Sequence, residues 1–230
     1  MLGDFDLATI GVLSSVTVLS MAISSLLKSS KNTNLHINKE ISSLIAIGSI
    51  LGGLAGKLSF NLLVLSMDIP SITAITQSTI LASLLLLIYM YFKKKAQLKS
   101  FVLTNKLVIL SVGFSLGFLS AFLSIGGGPL NVAMLVLLFS MKGKDAGINS
   151  IFIIFFSQLS ALVLILFTTG FNDYHLSMLY FMIPGGIMGG IIGSHIVTKL
   201  TNSMVEKIFN VSILFIICIN LYNIVKIALL

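Results

Sequence analysis

Residues Ser124-Ile125-Gly126-Gly127-Gly128-Pro129 interrupt an apolar stretch that runs from Val108 to Phe139. Three glycines and a proline cannot carry an α-helix through this point. Glycine weakens the helix interior, and proline lacks the N–H and clashes with the preceding turn. At membrane depth an unpaired backbone amide is too costly to leave against lipid. A break survives there only when it is packed in protein or lines a cavity. Proline suits the first position of a new helix. The pattern therefore predicts two half-helices meeting at a glycine loop, the second starting at Pro129. The N-terminus of that half-helix offers free N–H groups and a partial positive charge, which favours anions.

Composition sets the class. The 230 residues are 57% hydrophobic and 9% charged, with a mean hydropathy of +1.09. Soluble domains carry about a quarter charged residues, so the chain reads as an all-α, polytopic membrane protein. The one cysteine, Cys218, lies within an apolar segment, which excludes a disulfide framework or cysteine metal site. The acidic start, Met-Leu-Gly-Asp-Phe-Asp, is unlike the basic start of a signal peptide. The net charge of +7 rests on 14 lysines and no arginine. Loop lysines facing an anionic leaflet explain it without nucleic acid. An anion site in this chain must also work without a guanidinium fork.

Apolar runs near 8–27, 41–63, 69–92, 107–141, 147–168, 176–198 and 205–228 approach the roughly 20 residues that a span needs. The fourth is too long for one helix. Lys93, Lys94, Lys95, Lys99 and Lys106 make 93–106 cytoplasmic, which puts 28–40 inside as well and the N-terminus outside. A single crossing by 107–141 would send Lys142, Lys144, Lys199 and Lys207 outside. Entry and return at the glycine loop keep all four inside and leave the turn 169–175, with Asp173, outside; Lys226, near the C-terminus, is the exception to the rule. The charges thus predict a hairpin-like, re-entrant or doubly half-spanning segment.

The run Gly48-x₃-Gly52-Gly53-x₂-Gly56 recurs without a gap as Gly185-x₃-Gly189-Gly190-x₂-Gly193. With a one-residue shift, Ala8 and Ile10 fall on Ala146 and Ile148. The corresponding loops lie on opposite faces by lysine count. This is the pattern of an inverted repeat, a common plan in secondary transporters, with a first repeat at 1–98 and a second at 99–230. Each glycine read singly is an ordinary helix-packing residue. The repeat predicts a counterpart of 107–141 ahead of Ala8, where seven residues stand. The first half is expected to be truncated by about one span, or to work with one broken segment.

The stretches Ser124–Ala133 and Lys144-Asp-Ala-Gly-Ile-Asn-Ser150, and more weakly Pro184–Gly193, resemble the TauE/SafE-type sulfite exporter family. Ser124 and Ala133 stand where that family's second-half motif has glycine and proline. The resemblance implies a permease for sulfite, organosulfonates or related sulfur oxyanions, in the plasma membrane.

The candidate substrate-binding residues are Gly126, Gly127, Gly128, Pro129, Asn131, Asn149, Ser150, Ser157 and Gln158. Asn131 falls in the first turn after the break, where its amide either binds an oxyanion or satisfies freed backbone. The other four are polar positions in an apolar span; Ser150 and Ser157 share a face. Their two uses are substrate contact and interhelical hydrogen bonding. Every acid maps to a loop or a span end, which argues against a cation carrier or proton pump. His195, the one histidine within a span, reads as an interfacial residue, and Lys57 and Lys199 as anchors or as attractors of anions at each mouth.

No catalytic set, metal cluster or phosphate loop is present, so no enzyme, cofactor or metal is expected, and transport would be secondary or passive. The expected partners are a small anionic substrate and the lipid bilayer, with a homo-oligomer left open. The rival reading is a non-transporting membrane subunit that assembles with or anchors a partner; an intramembrane enzyme ranks last.

Overall fold

The computed structural model describes residues 7–30, 37–67, 70–94, 101–123, 127–168, 170–172 and 174–228. Eight helices lie among them: α1 (Leu7–Ser29), α2 (Lys39–Met67), α3 (Pro70–Lys94), α4 (Lys106–Phe122), α5 (Gly128–Phe139), α6 (Gly143–Thr168), α7 (Leu179–Lys199) and α8 (Asn202–Ala228). Six are long and apolar enough to cross a membrane; α4 and α5 are the two shorter ones. The chain is thus a polytopic helical membrane protein, and the overlong apolar run is divided in two at its glycines.

Local chemistry sets the helix ends. The Asn105 side chain accepts a 3.0 Å hydrogen bond from the Leu107 N–H and caps α4. Asn38 does the same for the Ile41 N–H at 3.2 Å, and Thr201 for the Met204 N–H at 3.3 Å. Each satisfies one of the donors that a helix start leaves without a partner. Pro70 opens α3, where its missing N–H costs nothing.

Helix α4 lies along α2, α7 along α1, and α8 along α3, while α6 runs beside α1, α2 and α5. The α2–α4 approach is backbone to backbone. A methyl group on Gly48, Gly52 or Gly56 would collide with main-chain atoms of α4 at Leu110, Phe114 and Phe118. Gly113 and Gly117 meet Ile45 and Ser49 of α2 in the same way, and the Ser49 hydroxyl donates to the Gly113 carbonyl at 3.0 Å. Small residues on both helices allow this contact. Ile45, Leu85, Leu116, Leu135, Ile153 and Ile213 form the fully buried centre. Outward lie large apolar side chains such as Phe167, Tyr180, Phe181 and Phe215, an apolar exterior that suits lipid and not water.

The broken segment doubles back. The Phe101 N–H bonds the Leu137 carbonyl at 2.8 Å, the Leu103 N–H bonds the Leu138 carbonyl at 3.0 Å, and the Ser140 hydroxyl bonds the Phe101 carbonyl at 3.1 Å. The chain entering α4 is therefore paired with the chain leaving α5. Other bonds gather the lysine-bearing ends at this level. Lys106 lies 3.2 Å from Glu40, and the Asn38 N–H bonds the Asn149 side chain at 2.9 Å. The Lys144 N–H bonds Asn202 at 3.1 Å, and the Lys144 ammonium bonds the Thr198 carbonyl at 3.2 Å.

Candidate functional site at the glycine break

Ser124, Ile125 and Gly126 lie outside the described residues, so the break is described from Leu123 and from Gly127 onward. Helix α4 closes with the Leu123 N–H bonded to the Leu119 carbonyl at 2.9 Å. The Gln77 amide nitrogen, from α3, donates to the Phe122 carbonyl at 2.8 Å, satisfying one of the carbonyls that the helix end frees. On the other side, Gly127 has φ 70° and ψ −11°. This left-handed conformation costs a side-chain-bearing residue roughly 1–2 kcal/mol. A methyl group there would also lie 2.6 Å from the Ser120 hydroxyl and 3.4 Å from the Asn131 amide nitrogen. Glycine is thus favoured at 127 chiefly by its left-handed backbone, since the Ser120 hydroxyl can rotate aside. Pro129 then stands in the first turn of α5, as the residue order predicts.

The first hydrogen bond across that turn runs from the Asn131 N–H to the Gly127 carbonyl at 2.9 Å. The amides of Gly128 and Leu130 precede it, in the part of a helix that has no carbonyl of its own to accept them. The Asn131 side chain is 3% exposed and leans back over Gly127. From α6, the Ser150 hydroxyl reaches the Gly128 carbonyl at 3.4 Å, and Ile154 lies 3.9 Å from a methyl built on Gly128. The result is a half-helix N-terminus surrounded by Ser120, Asn131 and Ser150. It carries oriented donors and no acidic side chain among these neighbours, an arrangement chemically suited to an oxyanion.

The sequence candidates divide into two groups. Gly127, Gly128, Pro129, Asn131 and Ser150 come together at the break. Ser157 and Gln158 lie farther along α6, three and four residues beyond Ile154, and so extend the helix face that meets the break by one turn. Asn149 is fully buried, and its amide binds protein at both ends. It donates to the Asp145 carbonyl at 2.7 Å and accepts from the Asn38 N–H at 2.9 Å and from the Ser42 hydroxyl. It ties α6 to the start of α2.

Two neighbours of the break had gone unmarked. Gln77 carried a usable signal, since it is an amide in an apolar helix by the same rule that selects Gln158. Ser120 carried none among so many span serines. Of the acids, Glu40 and Asp145 occupy first turns of helices, where carboxylates favour the helix dipole; Asp4, Asp6, Asp68 and Asp173 lie outside the described residues. His195 is exposed near the end of α7. Lys57 follows Gly56, whose helix face meets Phe118, and so stands near the level of the last turns of α4.

Comparison with known proteins agrees with this picture. Residues 1–221 match the family model described as sulfite exporter TauE/SafE. The chain is 31% identical over 116 residues to a protein of Bacillus subtilis (strain 168) named "Probable membrane transporter protein YunE". That alignment covers 50% of this chain and 41% of the relative. No solved structure matches. A polytopic helical bundle with a glycine-broken helix at its centre, matched along almost its whole length, identifies the chain as a multi-pass membrane protein that belongs to the TauE/SafE family, a family of cell-membrane transporters rather than enzymes.

Proposed function

We propose that the chain is a secondary transporter of small anions, with sulfite, organosulfonates or a related sulfur oxyanion as substrate. One observation carries this reading: the buried start of α5, where a left-handed Gly127 frees the Gly128 and Leu130 amides beside Asn131. Helix α5 has 12 residues and is thus about 18 Å long. If it rises from one surface, its start lies near mid-depth of a core about 30 Å thick. An anion there would be held by neutral donors: the amides of the Gly126–Gly128 loop and of Leu130, and the Asn131 side chain, with Ser150 beside them. Neutral donors hold an oxyanion without an ion pair, and such weaker binding allows release on the far side.

The domain reading that accompanies this function is two inverted repeats, 1–98 and 99–230, around a re-entrant segment, with alternating access by rocking of one repeat against the other. The bonds between 101–103 and 137–140, and those joining the lysine-bearing loops, support entry and return on one face. Partner exchange is consistent with the repeats: α1 packs on α7 as α6 does on α2. The choice of sulfur oxyanions rests on the family description and on the donor chemistry.

The test is uptake of labelled sulfite by proteoliposomes that hold the purified chain. Saturable uptake, inhibited by other sulfur oxyanions, is expected. Uptake no faster than in empty vesicles would overturn the reading for this chain acting alone. A response to an imposed pH gradient would identify protons as the coupling ion.

A further inference from the structure

A crevice of about 220 Å³ lies between α1, α6 and α7. It runs from Met21 to Ser29 on α1, from Gly143 to Ile151 on α6 and from Gly189 to Val197 on α7. Each stretch advances eight residues along its helix, which is about 12 Å. Helices α1 and α7 end, and α6 begins, where Lys28, Lys199 and Lys144 stand, so the three agree on the direction of the crevice. Ser29 and Lys144 line its lysine-bearing end, and Ser25 and Ser194 follow. Farther in, the walls are Met21, Ile151 and glycines of α7. The crevice is therefore basic and polar at one end and apolar through its depth.

Two polar groups at the basic end are left for a ligand. The Ser25 and Ser194 hydroxyls bond each other at 2.7 Å and so satisfy themselves. Ser29 is only 6% exposed, yet among the described residues its hydroxyl has no hydrogen-bond partner. A buried hydroxyl in that state calls for a ligand or a water. The Lys144 ammonium gives one bond to the Thr198 carbonyl at 3.2 Å and, with three donors in all, keeps others for an anion. No acidic side chain lines the crevice among the described residues. A free oxyanion would exchange water for walls that are mostly apolar, whereas an acyl chain suits them. Basic pockets between membrane helices at the cytoplasmic side suit anionic headgroups. We propose that the crevice holds one acyl chain of an anionic phospholipid, with the headgroup phosphate bound by Lys144 and Ser29.

The test is titration of the purified, delipidated full-length chain in detergent with phosphatidylglycerol, with bound lipid counted by native mass spectrometry. One lipid per chain should be retained about fivefold or more tightly than phosphatidylcholine of the same chain length. Lys144→Gln and, separately, Ser29→Ala should each weaken phosphatidylglycerol binding by about fivefold, while Lys144→Arg should bind like the unaltered chain. Gly193→Leu, which fills the crevice, should remove the retained lipid. The Ser29 hydroxyl holds no described group of the protein, and no atom lies within 4 Å of a methyl built on Gly193, so both variants should fold, which circular dichroism checks. Equal retention of phosphatidylcholine, or unchanged binding in Ser29→Ala, Lys144→Gln and Gly193→Leu, would overturn the proposal. So would full displacement of the lipid by inorganic phosphate at equal concentration, which would assign the basic end to a free anion. Loss of a dimer of the chain in Gly193→Leu would assign the crevice to a second copy and overturn it too. None of these readouts depends on flux, so they stand apart from the transport test.

Discussion

Helices α2 and α7 carry the same glycine spacing and meet opposite fates. On α2 the stripe is sealed by α4, with main chain against main chain. On α7, Gly185, Gly189 and Gly193 stand open, while Gly190 is packed against Met21 and Ser24 of α1. The spacing thus encodes a capacity for close approach, while the presence of a partner depends on the rest of the fold. In lipid, where apolar surface alone gives little drive to associate, that capacity is what selects which helices pack.

The largest effect that would break this comparison is expected from Gly52→Leu. Its side chain has nowhere to go but into the Phe114 main chain. Overpacking of this kind costs typically 1–3 kcal/mol, and about that or more when the obstacle is backbone. The folded yield by size-exclusion chromatography should collapse, whereas Gly189→Leu should purify normally. Equal behaviour of the two variants would mean that the stripes are not differently packed.

Next in size is Asn149→Leu. It removes the acceptor for the Asn38 N–H and the Ser42 hydroxyl, and a buried donor left unsatisfied costs about 1–3 kcal/mol. Thermal unfolding in detergent should shift down clearly. The smallest effect is expected from Gly189→Ala in the isolated chain. A glycine in a helix interior with open space gains about 0.5–1 kcal/mol on becoming alanine, so the melting temperature should rise slightly. The same change at Gly52 should lower it.

Much of the fold was legible in the sequence because the bilayer imposes it. Apolar runs of span length, divided by lysine loops or by short polar turns, give α1–α3 and α6–α8 nearly in place, and Gly127-Gly128-Pro129 marks where α5 begins. The site was legible in part. Glycine and proline announce a break through their own backbone chemistry, and Asn131 follows from its place in the first turn. What closes around the break comes from distant segments: Gln77 is 45 residues from its partner Phe122. Asn149 and Ser150 read alike in sequence, yet one is consumed in tying α6 to α2 and the other touches the Gly128 carbonyl. Only the packing distinguishes them.

The proposed anion site consists of neutral donors at the start of α5. The direct test is labelled sulfite uptake by proteoliposomes holding the unaltered chain, Asn131→Leu or Gly128→Val. Leucine keeps the volume of Asn131 while removing its amide. A side chain at 128 meets only Ile154, at 3.9 Å, within 4 Å of its first carbon, so both variants should fold. Uptake should fall by about tenfold or more in each: Asn131→Leu loses a hydrogen bond to a charged group, worth roughly 1.5–3 kcal/mol, and Gly128→Val keeps its N–H but fills the space in front of it. Undiminished uptake by both variants, at equal protein in the vesicles, would contradict it.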